Sequence, residues 1–254
     1  MAGVGHAALA ARTTPRQETD PIDEANAKSD AAFLVEYFPS FPPEWTHPTT
    51  KVSYALRLVQ AGKLSEAQVK ACFEIVRETS RDDYRNSSVG WHPRAKQNEM
   101  REPEMRYILV LRQERVCGFM SFMPSHDSGQ AVLFCYEIHL RAELKGSGLG
   151  KQLMRLFLEA GDRMDGVSKV MLQCFVSNTH ARMFYERVGF EVDDSSPRER
   201  KLRDGRVVLP SYLVLSQRTG GRAGERKRRE GEEGGEGGEG GERREAGEAG
   251  EENE

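Results

Sequence analysis

The sequence predicts a mixed α/β (α+β) fold in which a mostly antiparallel central sheet is flanked by helices. Three observations predict it. Residues 106–140 form three consecutive strand-like runs separated by short turns, which is the pattern of an antiparallel meander. Residues 134–159 pass from a strand through a glycine-rich turn into a long helical pattern. Residues 169–176 then form another strand, and a helical crossover makes the two strands that it joins parallel.

The composition is that of a folded domain with polar ends. The 254 residues suffice for one good-sized domain or two small ones, although only 37% are hydrophobic and the mean hydropathy is -0.65. A net charge of -3 excludes an obvious nucleic-acid binder, so we expect no direct DNA binding. The apolar runs are strand-length, so we expect no membrane span. The cysteines form no C-x-x-C pair and no histidines cluster with them, so we expect buried thiols and no metal site.

Residues 1–50 are predicted to be a largely disordered leader. Several prolines between positions 39 and 48 interrupt them, and the apolar run at 31–38 is long enough for one short helix. The Ala-rich, mildly basic start also fits a weak organelle-targeting peptide. Acidic residues follow at once, which favours the disordered leader over that alternative.

Residues 219–254 are predicted to be a disordered tail rich in Gly, Glu and Arg, which leaves 51–218 as the folded domain. From Gln217 onward the chain has no large apolar residue, so it cannot bury enough surface to offset the entropy lost on ordering. The basic run at 226–229 is either a nuclear-import signal or a solvated charge run, and the second interpretation is the default. The same composition also fits weak binding of histones or RNA, and it does not decide between them.

Helices are expected in the first half of the folded domain. Residues 65–80 predict one helix, because Ser65 is a suitable N-cap and apolar residues recur at helical spacing. Residues 52–61 are expected to form another helix that ends at Gly62. The polar segment 82–103 is expected to line a substrate site or to connect elements at the surface with Trp91 in the core, and both can hold.

The strands are assigned from apolar alternation and from the turns between them. The predicted strands are residues 106–112, 116–123, 131–140, 169–176, 189–193 and 209–215. Short connections at 113–115 and 124–130 join the first three. The charged segment 195–208, between the last two strands, is expected to be a loop.

The glycine-rich turn has a specific chemical use. Lys145, Gly148 and Gly150 give K-x-x-G-x-G, with a further glycine at 146. Free N–H groups at the helix start and the helix dipole favour a phosphate there. The order of residues is not that of a dinucleotide-binding motif, and Gln152 after Lys151 excludes a Walker loop. Taken alone, the stretch also fits an ordinary strand-to-helix turn.

The turn and the stretch 169–197 together carry a resemblance to a known family. A strand, an Asn, a short helix ending in a Tyr and a Gly-Phe pair follow one another in that stretch. The glycine-rich turn and this stretch together resemble the acetyl-coenzyme A core of the GCN5-related N-acetyltransferase (GNAT) superfamily. The pattern of that superfamily is R/Q-x-x-G-x-G/A followed by such a strand, an Asn and an aromatic-rich helix. Residues 134–137 (FCYE) and 193–197 (DDSSP) are similar to the histone-directed N-alpha-acetyltransferase family, NatD. The resemblance covers roughly residues 65–219.

The resemblance implies a GNAT fold with acetyl-coenzyme A as acetyl donor and no metal. The strand that precedes the glycine turn is expected to pair with the pantetheine amides and polarise the thioester carbonyl, and the turn to hold the pyrophosphate. The implied cofactor-binding residues are Ile138, His139, Leu140, Lys145, Gly146, Ser147, Gly148, Leu149, Gly150, Lys151 and Asn178. Lys145 departs from the Arg or Gln of the family, but backbone amides carry the phosphate contact.

Two catalytic residues are expected. Glu137 is the candidate general base, either directly or through one water, because a peptide α-amine with a pKa near 8 needs less help than a lysine near 10.4. The alternative is that Glu137 only positions the substrate N-terminus by its charge. Tyr185 occupies the position where many members of the superfamily place a thiolate-protonating Tyr, although the NatD family often lacks it.

The resemblance also implies a substrate, a histone N-terminal peptide that begins Ser-Gly-Arg-Gly. Such a peptide carries an ammonium and an Arg, and therefore favours carboxylates and hydrogen-bonding aromatics. Ser125 and Val89 replace an acidic residue and an aromatic residue of the family, which weakens the match in peptide specificity. The implied substrate-binding residues are Tyr84, Asp127, Tyr136, Gln173, Ser195 and Tyr212.

The function expected from these residues is that of a protein N-alpha-acetyltransferase for histone four and histone two-A type N termini. An acetyltransferase for another protein or a small amine is the alternative within the same class. An inactive acetyltransferase-like scaffold that uses its tail for protein or RNA binding is the alternative from another class. A monomer without auxiliary subunit, located in nucleus and cytoplasm, is expected from the family.

Overall fold

The computed structural model describes residues 19–220, and the elements below belong to this range. The helices are α1 (Pro21–Ala27), α2 (Asp30–Tyr37), α3 (Glu66–Arg85), α4 (Pro93–Glu99), α5 (Leu149–Arg163) and α6 (Thr179–Val188). The strands are β1 (Glu44–Thr46), β2 (Ser53–Gln60), β3 (Arg106–Arg112), β4 (Arg115–Asp127), β5 (Gln130–Leu140), β6 (Lys169–Phe175), β7 (Glu191–Val192), β8 (Arg200–Lys201), β9 (Val207–Val208) and β10 (Tyr212–Arg218). Two short 3-10 turns lie at Ala61–Lys63 and Ala142–Leu144.

Eight strands form one mixed sheet in the order β1-β2-β3-β4-β5-β6-β10-β7. The pair β5–β6 is parallel, and the other neighbouring pairs are antiparallel. The fold class predicted from the sequence is therefore confirmed. The helix α5 makes the crossover between the parallel strands, as the glycine turn and the helical pattern after it predicted.

The helices cover both faces of the sheet with separate apolar clusters. On one face, Leu153 and Phe157 of α5 pack with Phe33 of α2 and Tyr185 of α6 in a single cluster. On the other face, Phe73 and neighbouring apolar residues of α3 pack with residues of β3 and β4. No helix in the described range is long and apolar enough to cross a membrane.

Helix α3, which the sequence predicted at residues 65–80, is longer than predicted. Ser65 caps α3 with a complete capping box, because its hydroxyl accepts from the Gln68 N–H and the Gln68 side chain accepts from the Ser65 N–H. The helix continues past the predicted end at residue 80 to Arg85. This extra length carries Tyr84 to the sheet, where its hydroxyl donates to Glu137 of β5 at 3.0 Å.

The predicted disorder of residues 19–50 was wrong, because this part of the leader is folded, but the one short helix expected at 31–38 is present as α2. Helices α1 and α2 are capped by Asp20 and Ser29. The rings of Phe33 and Phe38 lie 6.2 and 5.8 Å from the ring of Phe122 on β4, so this segment completes the core on one sheet face. Residues 1–18 of the predicted leader and 221–254 of the predicted tail lie outside the described residues.

The helix predicted at residues 52–61 is also wrong, because this segment is strand β2. Tyr54 and Leu56 are buried while Ser53 and Arg57 are exposed, which is the alternation of a strand. Pairing with β1 on one side and β3 on the other fixes it in the sheet. The charged segment 195–208 contains the two-stranded hairpin β8–β9 where a loop was expected.

A buried arginine attaches the N-terminal helices to the sheet. The side chain of Arg106 on β3 is fully buried and donates to the carbonyls of Ala25, Asn26 and Lys28, the shortest at 2.6 Å. It also pairs with Asp30 at 3.1 Å. Removing this cation would leave the carbonyls of Asn26 and Lys28 without this donor, while Asp30 would keep only Lys63 and the Gln60 N–H.

We expect Arg106→Met to lower the free energy of unfolding by about 3 kcal/mol or more, because one partner of a buried ion pair is removed. Urea unfolding measures the loss, and hydrogen exchange should show α1 and α2 opening first. Arg57→Met is the matched control, since Arg57 forms an exposed pair with Glu114 and should change stability by less than about 1 kcal/mol. Equal losses in both variants would contradict the attachment by Arg106.

Candidate active site

A bulge in β5 determines which way Glu137 points. Ser121 and Phe122 of β4 are consecutive, but they pair with Glu137 and Cys135, so Tyr136 is an extra residue in β5. Cys135 faces the cluster under α5, whereas Tyr136 packs on the opposite face with α3. The bulge therefore brings Glu137 to the same face as Tyr136, where the side chains of α3 and α4 reach it.

Glu137 is the centre of a buried polar cluster. Its side chain is 7% exposed. One carboxylate oxygen accepts from the Tyr84 hydroxyl at 3.0 Å and from the Lys96 ammonium at 2.8 Å. The other oxygen is hydrogen-bonded to Nε2 of His139, whose Nδ1 lies 2.7 Å from the Thr79 hydroxyl. Three of roughly four acceptor positions on the carboxylate are therefore in use.

The electrostatics of the cluster keep Glu137 ionised. Burial alone would raise the pKa of Glu137, but the charges and hydrogen bonds of Lys96 and His139 outweigh it and lower the pKa to about 2. Burial would lower the pKa of Lys96, but Glu137 and Glu99 outweigh it and raise it. Burial and the Glu137 charge raise the pKa of Tyr84. The cluster thus holds one firmly ionised pair beside a neutral phenol.

The parallel strands separate beside this cluster. Pairing between β5 and β6 runs from Val132–Lys169 to Cys135–Leu172 and stops there, although both strands continue. Beyond Cys135, the pairing of β5 is with β4 alone among the described residues. One edge of Ile138, His139 and Leu140 is therefore left for a ligand with amide groups.

The glycine turn follows this open edge directly. Gly146 and Gly148 have φ angles of +70° and +91°, which other residues adopt only with strain. Helix α5 begins after Gly148 and has no side-chain cap. Its first N–H groups are therefore available to an anion. Lys145 and Lys151 are exposed beside the turn, and the Ser147 hydroxyl donates to the Leu144 carbonyl at 2.6 Å.

Two further predicted residues have structural contacts of their own. The side chain of Asn178 caps α6 by accepting from the Ala181 N–H at 3.1 Å, which leaves its amide N–H groups free for other contacts. Tyr185 is 7% exposed and lies between the rings of Phe184 and Phe190. Burial raises the pKa of Tyr185 well above its usual value, so the phenol keeps its proton.

Four of the predicted substrate residues share one face of the sheet. The Tyr84 ring packs edge-on against Phe175 of β6 at 4.8 Å, and Gln173 lies two residues before Phe175 on the same face. Tyr212 is the cross-strand partner of Phe175 on β10. Tyr136 packs on this face too. These side chains surround the point where β5 and β6 separate.

Asp127 and Ser195 are not brought to this place. Asp127 is paired with Gln130, seven residues before Glu137, so about 23 Å of strand separates the two carboxylates at roughly 3.3 Å per residue. Lys169 lies 3.9 Å from Asp127 and 2.8 Å from Asp193, and Ser195 bonds Asp193. The structure therefore places Asp127 and Ser195 apart from the other predicted substrate residues, and their role in binding a peptide stays a prediction.

The sequence did not identify Lys96 and Thr79 as site residues. Lys96 lies in the segment 82–103, which was expected to line a substrate site, and Trp91 of that segment stacks on Phe73 as the second interpretation expected. A lysine is expected at the surface, because lysines are seldom buried. The local sequence gives no sign that the Lys96 side chain is only 9% exposed. A cleft of about 390 Å³ along α3 shares Thr79 with the cluster. The described residues contain no group of His, Cys, Asp and Glu that could hold a metal.

Comparison with known proteins identifies the fold. Residues 70–190 match the model of the Acetyltransferase (GNAT) family. N-alpha-acetyltransferase 40 of Saccharomyces cerevisiae is 29% identical over 136 residues, which are 44% of this chain and 48% of the yeast protein. The uncharacterized N-acetyltransferase YycN of Bacillus subtilis is 28% identical over 88 residues, 35% of this chain and 56% of that protein. The chain thus spans about half the length of these curated relatives.

Among solved structures, this chain is similar to that of Arabidopsis thaliana NAA60 in complex with a bisubstrate analogue. It matches with a TM-score of 0.47 at 10% sequence identity, over 66% of this chain and 99% of that one. The mixed sheet, the separated parallel strands and the crossover helix after a glycine turn are described above on this chain's own residues. Together with the family match they constitute the GNAT fold.

The pairing of Lys96 with Glu137 predicts a measurable coupling. We expect Lys96→Met and Glu137→Gln each to lower the free energy of unfolding by about 3 kcal/mol, since each leaves a buried charge poorly paired. The double variant should lose less than the sum by at least about 1 kcal/mol. Urea unfolding of the four proteins measures this. The pair of Lys28 and Glu36, at 3.0 Å, is the control. Because its Glu36 carboxylate is about half exposed, the coupling free energy of this pair should be below about 1 kcal/mol. Additive losses at Lys96 and Glu137 would contradict the pairing.

Proposed function

We propose that this chain, whose residues 70–190 match the GNAT family, transfers acetyl from acetyl-coenzyme A to the free α-amine of a peptide. The observation that carries the proposal is that the open edge of β5 leads along the chain, through one 3-10 turn, to the uncapped start of helix α5. The path begins at Glu137 and the open edge of β5, and it ends at the glycine turn. Its two ends suit a thioester and a pyrophosphate.

The coenzyme lies along this path in the proposed complex. The first N–H groups of α5 bind the pyrophosphate, and the open edge of β5 at Ile138 and Leu140 pairs with the pantetheine amides. A backbone N–H of the same edge polarises the thioester carbonyl, which is where negative charge develops in the transition state. Asn178, whose amide N–H groups are free, adds a donor at the opposite wall.

The acceptor amine approaches from the face of Tyr84 and Tyr136. Its nitrogen attacks the thioester carbonyl, the C–N bond forms, the C–S bond breaks, and the nitrogen loses one proton. Coenzyme A leaves as a thiolate that takes a proton from Tyr185 or from water. Since Tyr185 is protonated and buried, it is a donor only if the sulfur reaches its hydroxyl.

The low pKa of Glu137 bears on the route of the amine proton. A carboxylate with a pKa of about 2 lies about six units below a peptide α-amine, so direct abstraction by Glu137 is unfavourable. A hydrogen bond from the amine to the remaining acceptor position of Glu137, with water carrying the proton away, is favoured. Glu137 then orients the nitrogen, and the proton leaves through water to the solvent.

A histone-type N-terminus is the substrate that we propose for this site. Burial and the nearby charges of Glu99 and Glu102 raise the pKa of Tyr136, so acidic side chains border the acceptor face. An Arg at the third position of a Ser-Gly-Arg-Gly peptide extends about 7 Å of backbone from the amine, plus its side chain. Glu102 is a better partner for it than the distant Asp127. With this substrate we keep the expectations of a monomer that acts in nucleus and cytoplasm.

We expect acetyl transfer from labelled acetyl-coenzyme A to free Ser-Gly-Arg-Gly-Lys and none to the same peptide with a blocked N-terminus. The reason is that α-amines, with a pKa near 8, are neutral far more often than lysines. Ser-Gly-Ala-Gly-Lys is the matched peptide, and its kcat/KM should be at least about tenfold lower if an Arg contacts the acidic border. Label on the blocked peptide would mean that lysine is the acceptor. Equal rates for both free peptides would remove the histone proposal and leave acetyl transfer intact.

Coenzyme binding should depend on Gly148. We expect Gly148→Ala to weaken acetyl-coenzyme A binding by at least about tenfold, or 1.4 kcal/mol, because strain at its positive φ misplaces the N–H groups of α5. Gly129→Ala is the control, since Gly129 has a similar φ of +79° in the hairpin turn between β4 and β5. Neither added Cβ meets another atom within 4 Å. Calorimetry measures binding, and equal affinities of the two variants would contradict the pyrophosphate assignment.

A further inference from the structure

Lys96 occupies the side of Glu137 that faces helices α3 and α4. Its ammonium lies 2.8 Å from Glu137, 2.6 Å from Glu99 and 4.9 Å from the centre of the Tyr84 ring. It is therefore held by two carboxylates and an aromatic face while 9% of the side chain is exposed. The charged and titratable groups around it are Tyr84 on α3, Glu99 on α4, Tyr107 on β3, and Tyr136, Glu137 and His139 on β5.

We propose that Lys96 is a positioning residue that neutralises Glu137, so that the acceptor α-amine binds in its uncharged, nucleophilic form, and this rests on the proposed acetyl transfer. Without Lys96, Glu137 would keep the hydrogen bonds of Tyr84 and His139 but lose its ammonium partner, and it would attract the ammonium form of the substrate and hold its proton. With Lys96 in place, Glu137 already has its cation. A second cation at the remaining acceptor position would be repelled by the first, whereas a neutral amine would not.

The two carboxylates also exclude Lys96 itself as the acetylated amine. A nucleophilic ε-amine must lose its proton, and Glu99 and Glu137 both stabilise the protonated form. The Lys96 ammonium thus stays as a fixed charge through the reaction. Its positive charge acts on the substrate amine through the ion pair with Glu137 and through the electrostatic potential at the remaining acceptor position of Glu137.

The direct test is the proton balance of peptide binding. Calorimetry with free Ser-Gly-Arg-Gly-Lys, in the presence of coenzyme A and in buffers of different ionisation enthalpy, counts the protons released at pH 7. An α-amine is mostly protonated at this pH, so binding in the neutral form should release close to one proton. Lys96→Met should release close to none and bind the peptide more tightly, because Glu137 then pairs with the ammonium.

Kinetics give a second and independent readout. In Lys96→Met, kcat should fall by at least about tenfold while KM falls, and the alkaline rise of kcat should move up by about one pH unit. Lys96→Arg keeps the charge and should keep the proton release and the pH profile close to those of the unaltered protein. It also keeps the inference testable if Lys96→Met does not fold.

Lys28→Met is the matched control for both measurements. Lys28 pairs with Glu24 at 3.3 Å and with Glu36 at 3.0 Å, and it lies 6.0 Å from the Tyr37 ring, on the other face of the sheet. Like Lys96 it has two carboxylates and an aromatic ring beside it, but its carboxylates are exposed and no substrate is proposed there, so proton release should be unchanged.

The outcomes separate the two proposals. If the unaltered protein acetylates the peptide but releases no proton on binding it, or if Lys96→Met releases as many protons as the unaltered protein, the role of Lys96 is wrong and acetyl transfer stands. If the unaltered protein neither binds nor acetylates the peptide while coenzyme A still binds, the proposed function fails, and the role of Lys96 falls with it.

Discussion

The central constraint in this structure is that a carboxylate buried in a sheet must have partners. Glu137 is 7% exposed, and an isolated charge at such a place would be strongly destabilising. Its partners Tyr84, Lys96 and His139 come from α3, α4 and β5, so this one side chain links two helices to the sheet. The bulge at Tyr136 is what makes the arrangement possible, because it keeps Glu137 from following Cys135 into the apolar cluster below α5.

The sequence predicted the centre of the fold better than its N-terminal part, for a physical reason. The meander β3–β4–β5 and the crossover helix α5 have strong local periodicity, and their turns are short. Strand β2 contains several good helix formers, and its pairing with β3 is a contact that no local pattern records. Helices α1 and α2 are held by Arg106, which is more than 70 residues away in the chain. A segment whose order depends on such distant partners has few local signals of its own.

In the candidate site, sequence motifs identified the residues of β5 and of the glycine turn. The positions of the other side chains depend on tertiary packing. Glu137, Tyr84 and Tyr136 lie on one face beside the separated strands, and their roles, like that of the glycine turn, stay predictions. Simple alternation would put Tyr136 and Glu137 on opposite faces, so the bulge could not be predicted. Lys96 could not be predicted either, because its burial arises from a partner 41 residues later in the chain. Asp127 was assigned from neighbouring motifs, and the length of the hairpin carries it away from the cluster.

A site that binds only neutral amines selects among them without a dedicated pocket. At pH 7 an α-amine with a pKa near 8 is neutral in about one molecule in ten, and a lysine near 10.4 in about one in 2,500. The penalty for binding the neutral form is therefore about 250-fold larger for lysine. The greater nucleophilicity of the more basic amine offsets part of this difference. The ion pair of Lys96 and Glu137 would thus contribute to α-amine specificity by electrostatics alone, and peptide contacts at Tyr136 and Glu102 would have to distinguish only one N-terminus from another.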